Sequence, residues 1–246
     1  MKNPYSGKAH EFIKEKILTG EFRPGYRLKT KDLTTMIGVS ATPIRDALRQ
    51  LETEGLVEIL PRMGASVKSF DLVSFKELSE LRCALECLAA ELAAANRTEA
   101  EATLIENALK EMELILKATT GEITEEVREQ LRVADVHFHF AILAAAHNQT
   151  LYTEVLRLQI IHRINALSTR GQIIRPVKDL LAWQNTVYDC HKRIFDGVRD
   201  RHPEAARLAM KEHIQGIVDR AVLAMAKSLD GSNASRMATA GAGYIE

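Results

Sequence analysis

Asp135 and His139 stand four residues apart in Ala134-Asp135-Val136-His137-Phe138-His139-Phe140, so on a helix they share one face, while His137 points elsewhere. His191, in Asp189-Cys190-His191-Lys192, and His213, in Glu212-His213-Ile214, each fall in the middle of another helical stretch. Three helices that pack together can bring this carboxylate and these three imidazoles to one point. Such a donor set suits a borderline divalent metal, zinc first and nickel, manganese or iron after it, and leaves coordination positions open. Taken singly, each histidine is more ordinarily a surface or satisfied core residue. Hydrolases and oxygenases hold metals with similar sets, but there is no HExxH and no general base evident beside these residues, so an enzyme is not expected.

A second group lies near the N-terminus, in Ile37-Gly38-Val39-Ser40-Ala41-Thr42-Pro43-Ile44-Arg45-Asp46-Ala47-Leu48-Arg49-Gln50-Leu51. Gly38 suits a turn with positive φ, Ser40 or Thr42 can cap a helix, and Pro43 fits its first turn. Ile44, Ala47, Leu48 and Leu51 then form a packing face, and Arg45 and Arg49 stack on the other side. An exposed arginine pair is usually only a solvated face. In front of a DNA groove, however, one guanidinium can donate two hydrogen bonds to guanine O6 and N7.

The elements that would position these groups follow from the texture of the chain. Its 246 residues are 46 % hydrophobic and 5 % aromatic, with 6 prolines, which favours a mainly α protein with core enough for one large or two modest domains. A helix is predicted from Gly7 to Leu18, with Ala9, Phe12, Ile13 and Ile17 inward, and Thr19-Gly20 stopping it. A second, from Lys31 to Ile37 with Thr30 as cap, leads into the arginine helix as a helix-turn-helix. Two β-prone runs, Leu56 to Leu60 and Ala65 to Val67, flank a Pro61-Arg62-Met63-Gly64 turn and make a hairpin, completing a winged helix over residues 1–70.

From residue 71 the pattern predicts an antiparallel all-helical bundle of six helices. They run from Asp71 to Ala95, Thr98 to Thr119, Thr124 to His147, Thr150 to Thr169, Val177 to Arg201 and Pro203 to Ser228. Thr98 to Glu101 is a capping box. The bundle domain spans residues 71–229, and the small polar tail at 230–246 is expected to be disordered.

Net charge is zero, but residues 1–70 hold 12 Lys+Arg against 8 Asp+Glu and the remainder 21 against 25, so the basic end is the winged helix. Cys83, Cys87 and Cys190 have no CxxC spacing and read as buried small hydrophobes. No apolar run approaches membrane-spanning length and no signal segment opens the chain, so a soluble cytoplasmic protein is expected.

The run Ile17-Leu18-Thr19-Gly20, Pro24-Gly25, Ile37-Gly38-Val39-Ser40, Thr42-Pro43-Ile44-Arg45-Asp46-Ala47-Leu48, Leu51-Glu52, Glu54-Gly55-Leu56-Val57, Pro61-Arg62 and Gly64 resembles the winged helix of the GntR family of bacterial transcription regulators. The remainder is similar to the FCD effector-binding domain of that family's FadR branch, and six helices place it nearer the VanR-like subgroup. The resemblance implies a regulator, more often a repressor, that binds operator DNA and answers to a small carboxylate. It also implies DNA contacts by Lys31, Thr42, Arg45, Arg49, Arg62 and Gly64. Ala41 stands where members commonly carry a DNA-contacting Arg.

FCD domains of the metal-binding type carry Asp-x3-His, a later His and another 22 residues on, which the resemblance maps to Asp135, His139, His191 and His213. Arg82 matches an Arg that pairs with the effector's carboxylate, though a helix-surface pair with Glu86 suits it equally. Asn148 matches a recurring Asn at a helix end, where capping competes with effector binding. His10, His137, His147, His162 and His202 match no such position. One winged helix reads few base pairs, so a homodimer on a two-fold symmetric operator is expected. An ion acting as the effector itself is the alternative.

Overall fold

In a computed structural model of the chain, residues 4–69, 71–121, 123–158 and 177–240 are described. The chain divides into two compact units, the first ending its N-terminal segment at Phe75 and taking in also the segment from Arg157, the second holding the rest.

The first unit opens with α1 (Pro4–Leu18), which buries Ala9, Ile13 and Ile17, while Phe12 is only half-buried, with Lys16 over its ring. A short strand, β1 (Arg27–Leu28), precedes α2 (Thr30–Ile37) and α3 (Ala41–Thr53). Gly38 closes α2 at φ 73°, its N–H donating to the Thr34 carbonyl, a left-handed C-cap that a side chain would strain. Pro43, Ile44, Ala47, Leu48 and Leu51 are the buried face of α3. Glu54, just past α3, accepts from His10 at 2.6 Å and Lys14 at 2.8 Å on α1, so the first and third helices are tied by charge as well as packing.

Two capping expectations are corrected. Ser40 occupies the N-cap of α3 but neither it nor Lys29, the N-cap of α2, makes a side-chain cap bond, and Thr30 is the first helical residue rather than the cap. Ser40 has extended backbone at φ −71° and ψ 171°, so the entry is set by the turn.

The hairpin forms from β2 (Val57–Leu60) and β3 (Gly64–Val67), antiparallel, with Leu60 opposite Gly64 and Val57 opposite Val67. Sequence reasoning missed β1, which pairs with β3 through Arg27–Ser66 and Leu28–Ala65 to give the order β1-β3-β2. Two residues behind a Pro-Gly turn are too few to show a period of two.

The second unit is all helix among its described residues. It consists of α4 (Leu72–Asn96), whose first turn precedes the boundary, α5 (Glu99–Ala118), α6 (Glu125–Ala145), α7 (described over 149–158), α8 (Val177–Arg199) and α9 (Pro203–Ala240). The remainder of the helix expected up to Thr169, with His162, lies outside the described residues. The Thr98–Glu101 capping box is formed, and the Thr98 backbone N–H together with His147 holds the Glu101 carboxyl down at about 2. Thr124 caps α6 through Val127 N–H. Buried Arg97 donates to the Val198 and Arg199 carbonyls, supplying partners for the C-terminal end of α8.

Helices α8 and α9 cross closely at Gly197, where a Cβ would lie 2.6 Å from the Ala206 backbone nitrogen. The main core joins Ala90, Ala93 and Ala94 of α4 to Ile105, Phe138, Ile142, Ile194, Val198 and Met210. Small residues on α4 let its neighbours approach, which places the inner faces of α6, α8 and α9 around one interior.

The last helix runs to Ala240, past the Ser228 end expected, and residues 241–246 lie outside the described residues. Extending an existing helix adds one hydrogen bond per residue, and a single interior glycine such as Gly231 costs only about 1 kcal/mol. Cys87 is buried as expected, but Cys83 and Cys190 are half-exposed, and all three are free thiols. No helix among the described residues is long and apolar enough to cross a membrane.

Candidate metal centre and nucleic-acid interface

Asp135 and His139 share a face of α6, His191 projects from α8 and His213 from α9. One donor atom from each lies within 4.8 Å of the others. His139 Nε2 is 3.2 Å from His213 Nε2 and 3.3 Å from His191 Nε2, and Asp135 Oδ1 is 3.4 Å from His191 Nε2 and 3.9 Å from His139 Nε2. Ligands about 2.0–2.1 Å from a tetrahedral zinc stand about 3.3 Å from one another, so three of these separations match those of ligands around one ion and the Asp135–His139 one, at 3.9 Å, is longer.

The outward atoms of two rings decide where their lone pairs point. Glu86 Oε2 lies 2.6 Å from His139 Nδ1, and neither atom has another partner among the described residues. His191 Nδ1 faces Met112 Sδ at 3.4 Å. With protons on these Nδ1 atoms, both Nε2 lone pairs aim at the centre, beside the Asp135 carboxylate. Lone pairs converging in a dry interior repel unless a cation lies between them, which makes the set fit for a metal ion.

Electrostatics divide the histidines. Burial, reinforced by the neighbouring imidazoles, pushes His191 and His213 well below the ordinary 6.5. Burial also lowers His139, but the Glu86 carboxylate outweighs it and the net direction is up. Glu86 itself is 1 % exposed; burial raises its pKa, yet Arg82 and His139 hold it far below the usual carboxylate range.

Asp135 differs from its three partners in being 33 % exposed, and it lines a cavity of about 300 Å³ that Arg128, Arg132 and Trp183 also border. Arg82, which the resemblance assigned to the effector, does not line this cavity: its Nε donates to Glu86 at 2.5 Å. Asn148 does not line it either, since its side-chain oxygen accepts from Leu151 N–H at 3.0 Å and caps α7. Arg82 does pair with Glu86, but as a buried pair rather than one on the helix surface, and Asn148 does cap α7.

Sequence reasoning saw Glu86 only as a partner for Arg82 and overlooked the cavity arginines. A signal existed for the latter, because Arg128, Arg132, Asp135 and His139 follow one another at spacings of four, three and four along one stripe of α6. Three of the other histidines face carboxylates outside the centre: His10 faces Glu54, His137 faces Glu111 and His147 faces Glu101.

In the winged helix, Lys31, Thr42, Arg45, Arg49, Arg62 and Gly64 are all exposed. Among the described residues, Lys31, Arg45, Arg49 and Arg62 form no ion pair. A cation without a local carboxylate keeps its donors for a phosphate or a base edge. Arg62 and Gly64 sit at the wing tip with φ of 64° and 87°, beside exposed Met63. Nothing within 4 Å surrounds the Cβ position of Gly64, so this glycine serves the turn and keeps the tip slim. Ala41, at the first position of α3, offers no polar group.

The comparisons agree with both halves. The model of the bacterial regulatory proteins of the gntR family matches residues 6–67, and that of the FCD domain residues 77–216. The HTH-type transcriptional regulator LutR of Bacillus subtilis is 30 % identical over 225 residues, covering 82 % of this chain and 94 % of its own. An uncharacterized HTH-type regulator of the same organism, YdhC, is 31 % identical over 210 residues, covering 85 % and 88 %. Among solved structures, E. coli McbR/YncC superposes with a TM-score of 0.68 at 20 % identity over 89 % of this chain and 99 % of its own, a likeness that speaks for the fold. The relatives are transcription regulators and not enzymes. With a winged helix and an FCD domain that together account for most of its length, the chain belongs to the GntR family of bacterial DNA-binding transcription regulators.

Proposed function

We propose that this regulator is a homodimeric repressor whose FCD domain holds one divalent metal ion, zinc in the first place, on Asp135, His139, His191 and His213. A small carboxylate effector would complete the coordination sphere from the adjoining cavity. The observation that carries the reading is the convergence of three buried imidazoles with one part-exposed carboxylate at the wall of that cavity. In the wing and α3, Arg45 would read bases or the adjacent phosphates, Arg49 and Thr42 would hold the backbone, and Lys31, Arg62 and Gly64 would approach the flanking duplex. A single module reads few base pairs, which favours two copies on a two-fold symmetric operator.

An effector changes DNA affinity only if it binds the DNA-gripping and the released states unequally. The test is fluorescence anisotropy on a duplex that the protein itself selects from a random pool, at fixed salt. It compares chelator-treated protein, zinc-loaded protein, and zinc-loaded protein with a panel of small carboxylic acids. The reading expects an acid to shift the affinity in the zinc-loaded protein and not in the stripped one. A shift on adding zinc alone would instead make the ion the effector. No shift in any arm would sink the switch.

A further inference from the structure

The cavity beside Asp135 has more to say about its occupant than that it is small and acidic. Its volume, about 300 Å³, is at the lower end of ligand pockets. Arg128, Arg132 and Arg220 line it, against a single acid, Asp135, which belongs to the metal set. With a metal ion held at Asp135, the lining would therefore carry two kinds of cationic group, the ion and the guanidiniums of Arg128, Arg132 and Arg220.

The guanidiniums are suited to accept an anion. The Arg220 guanidinium lies over the Trp183 ring at 4.4 Å from its centroid, which fixes the cation at this wall of the cavity. Arg132 is held by Glu129 and Arg128 by Glu125, each three residues back on the same helix, and neither glutamate lines the cavity. Such exposed pairs are screened by solvent and readily exchanged for a ligand carboxylate. Trp183 adds a flat apolar wall and Gln184 a polar one.

A monocarboxylate answers one kind only. Bound to the metal, it leaves the guanidiniums facing an uncharged body; bound to the guanidiniums, it leaves the metal position unmatched. We propose that this cavity selects a dicarboxylate, one carboxylate toward the metal position at Asp135 and the other on Arg132 and Arg220, with its body against Trp183. This rests on the reading of the cavity as the effector site.

The test is calorimetric titration of zinc-loaded, full-length protein with two matched pairs, succinate against butyrate and phthalate against benzoate. At least one dicarboxylate should bind 10-fold or more tighter than its monocarboxylate mate. Arg220→Gln and Arg132→Gln should each bring the dicarboxylate down toward its mate while leaving zinc content unchanged. Equal affinity within both pairs, or a preference that survives both substitutions, overturns the dicarboxylate proposal and leaves the effector site standing. If zinc binds and none of the four acids does, the effector reading fails and takes this proposal with it.

Discussion

In the winged helix, Arg45, Arg49 and Arg62 stand in solvent with no carboxylate paired to them among the described residues, whereas in the bundle His139, His191 and His213 are at most 2 % exposed and pressed against one another. The first arrangement costs the fold almost nothing, because an exposed cation keeps its water until DNA replaces it. The second is costly without a ligand, since buried polar atoms have given up water for each other. A DNA-binding face can therefore change its residues with little effect on stability, while the metal centre and the bundle core should respond together.

The largest expected effect is on the bundle side. His191→Ala should remove high-affinity zinc binding, a loss beyond the roughly 10- to 100-fold that follows from losing an outer partner alone, as read by competition with a chromophoric chelator. Operator binding by the metal-free variant should match that of metal-free wild type; if it does not, the two regions are not separable in the way described. Glu86→Gln should cost zinc affinity roughly 10- to 100-fold, because the carboxylate that fixes the His139 ring is gone while the packing volume is kept. An unchanged zinc affinity would reduce Glu86 to a partner of Arg82.

On the other side of the comparison, Arg45→Ala should weaken operator binding by about 1–3 kcal/mol, the worth of one good bidentate base contact, and leave zinc binding and the melting temperature alone. A drop in melting temperature would mean that the arginine face is structural after all.

Acid and base should also separate the histidines. His191 and His213 have lowered pKa values, so the unfolded chain takes up protons that the fold refuses, and stability of the metal-free protein falls as pH drops below 6.5. His139 is raised, so its contribution is complete below 6.5 and is lost as pH climbs through its folded value. Metal-free melting temperature should accordingly peak near 6.5, and Glu86→Gln should abolish the decline on the alkaline side. The smallest effect is local: Thr98→Ala should destabilise the bundle by about 1 kcal/mol through the lost capping box, and chemical denaturation would measure it.

What could be read in advance follows the same division. The turn at Gly38, the packing face of α3 and the Thr98–Glu101 box are short-range patterns, and each forms where the residue spacing says it should. The Asp135–His139 pair is legible for the same reason. That His191 and His213 join it depends on how α8 and α9 cross α6, which spacing along the chain leaves open; the family resemblance supplied that link. Glu86 escaped because its partner is 53 residues away on a different helix. β1 escaped because a two-residue strand exists only through its pairing with β3. Helix α9 continues to Ala240, past the end expected at Ser228, because a small polar composition does not by itself stop a helix already under way.

The central claim is that the metal sits on the oxygen and nitrogen donors of Asp135, His139, His191 and His213, and X-ray absorption at the zinc edge of the zinc-loaded protein addresses it most directly. The account predicts one zinc per chain with imidazole scattering and only nitrogen or oxygen ligands at about 2.0–2.2 Å. The Cys83 and Cys87 sulfurs, 3.9 Å apart on α4, offer the competing site. A sulfur shell near 2.3 Å, or a spectrum unchanged in His191→Ala, would contradict it.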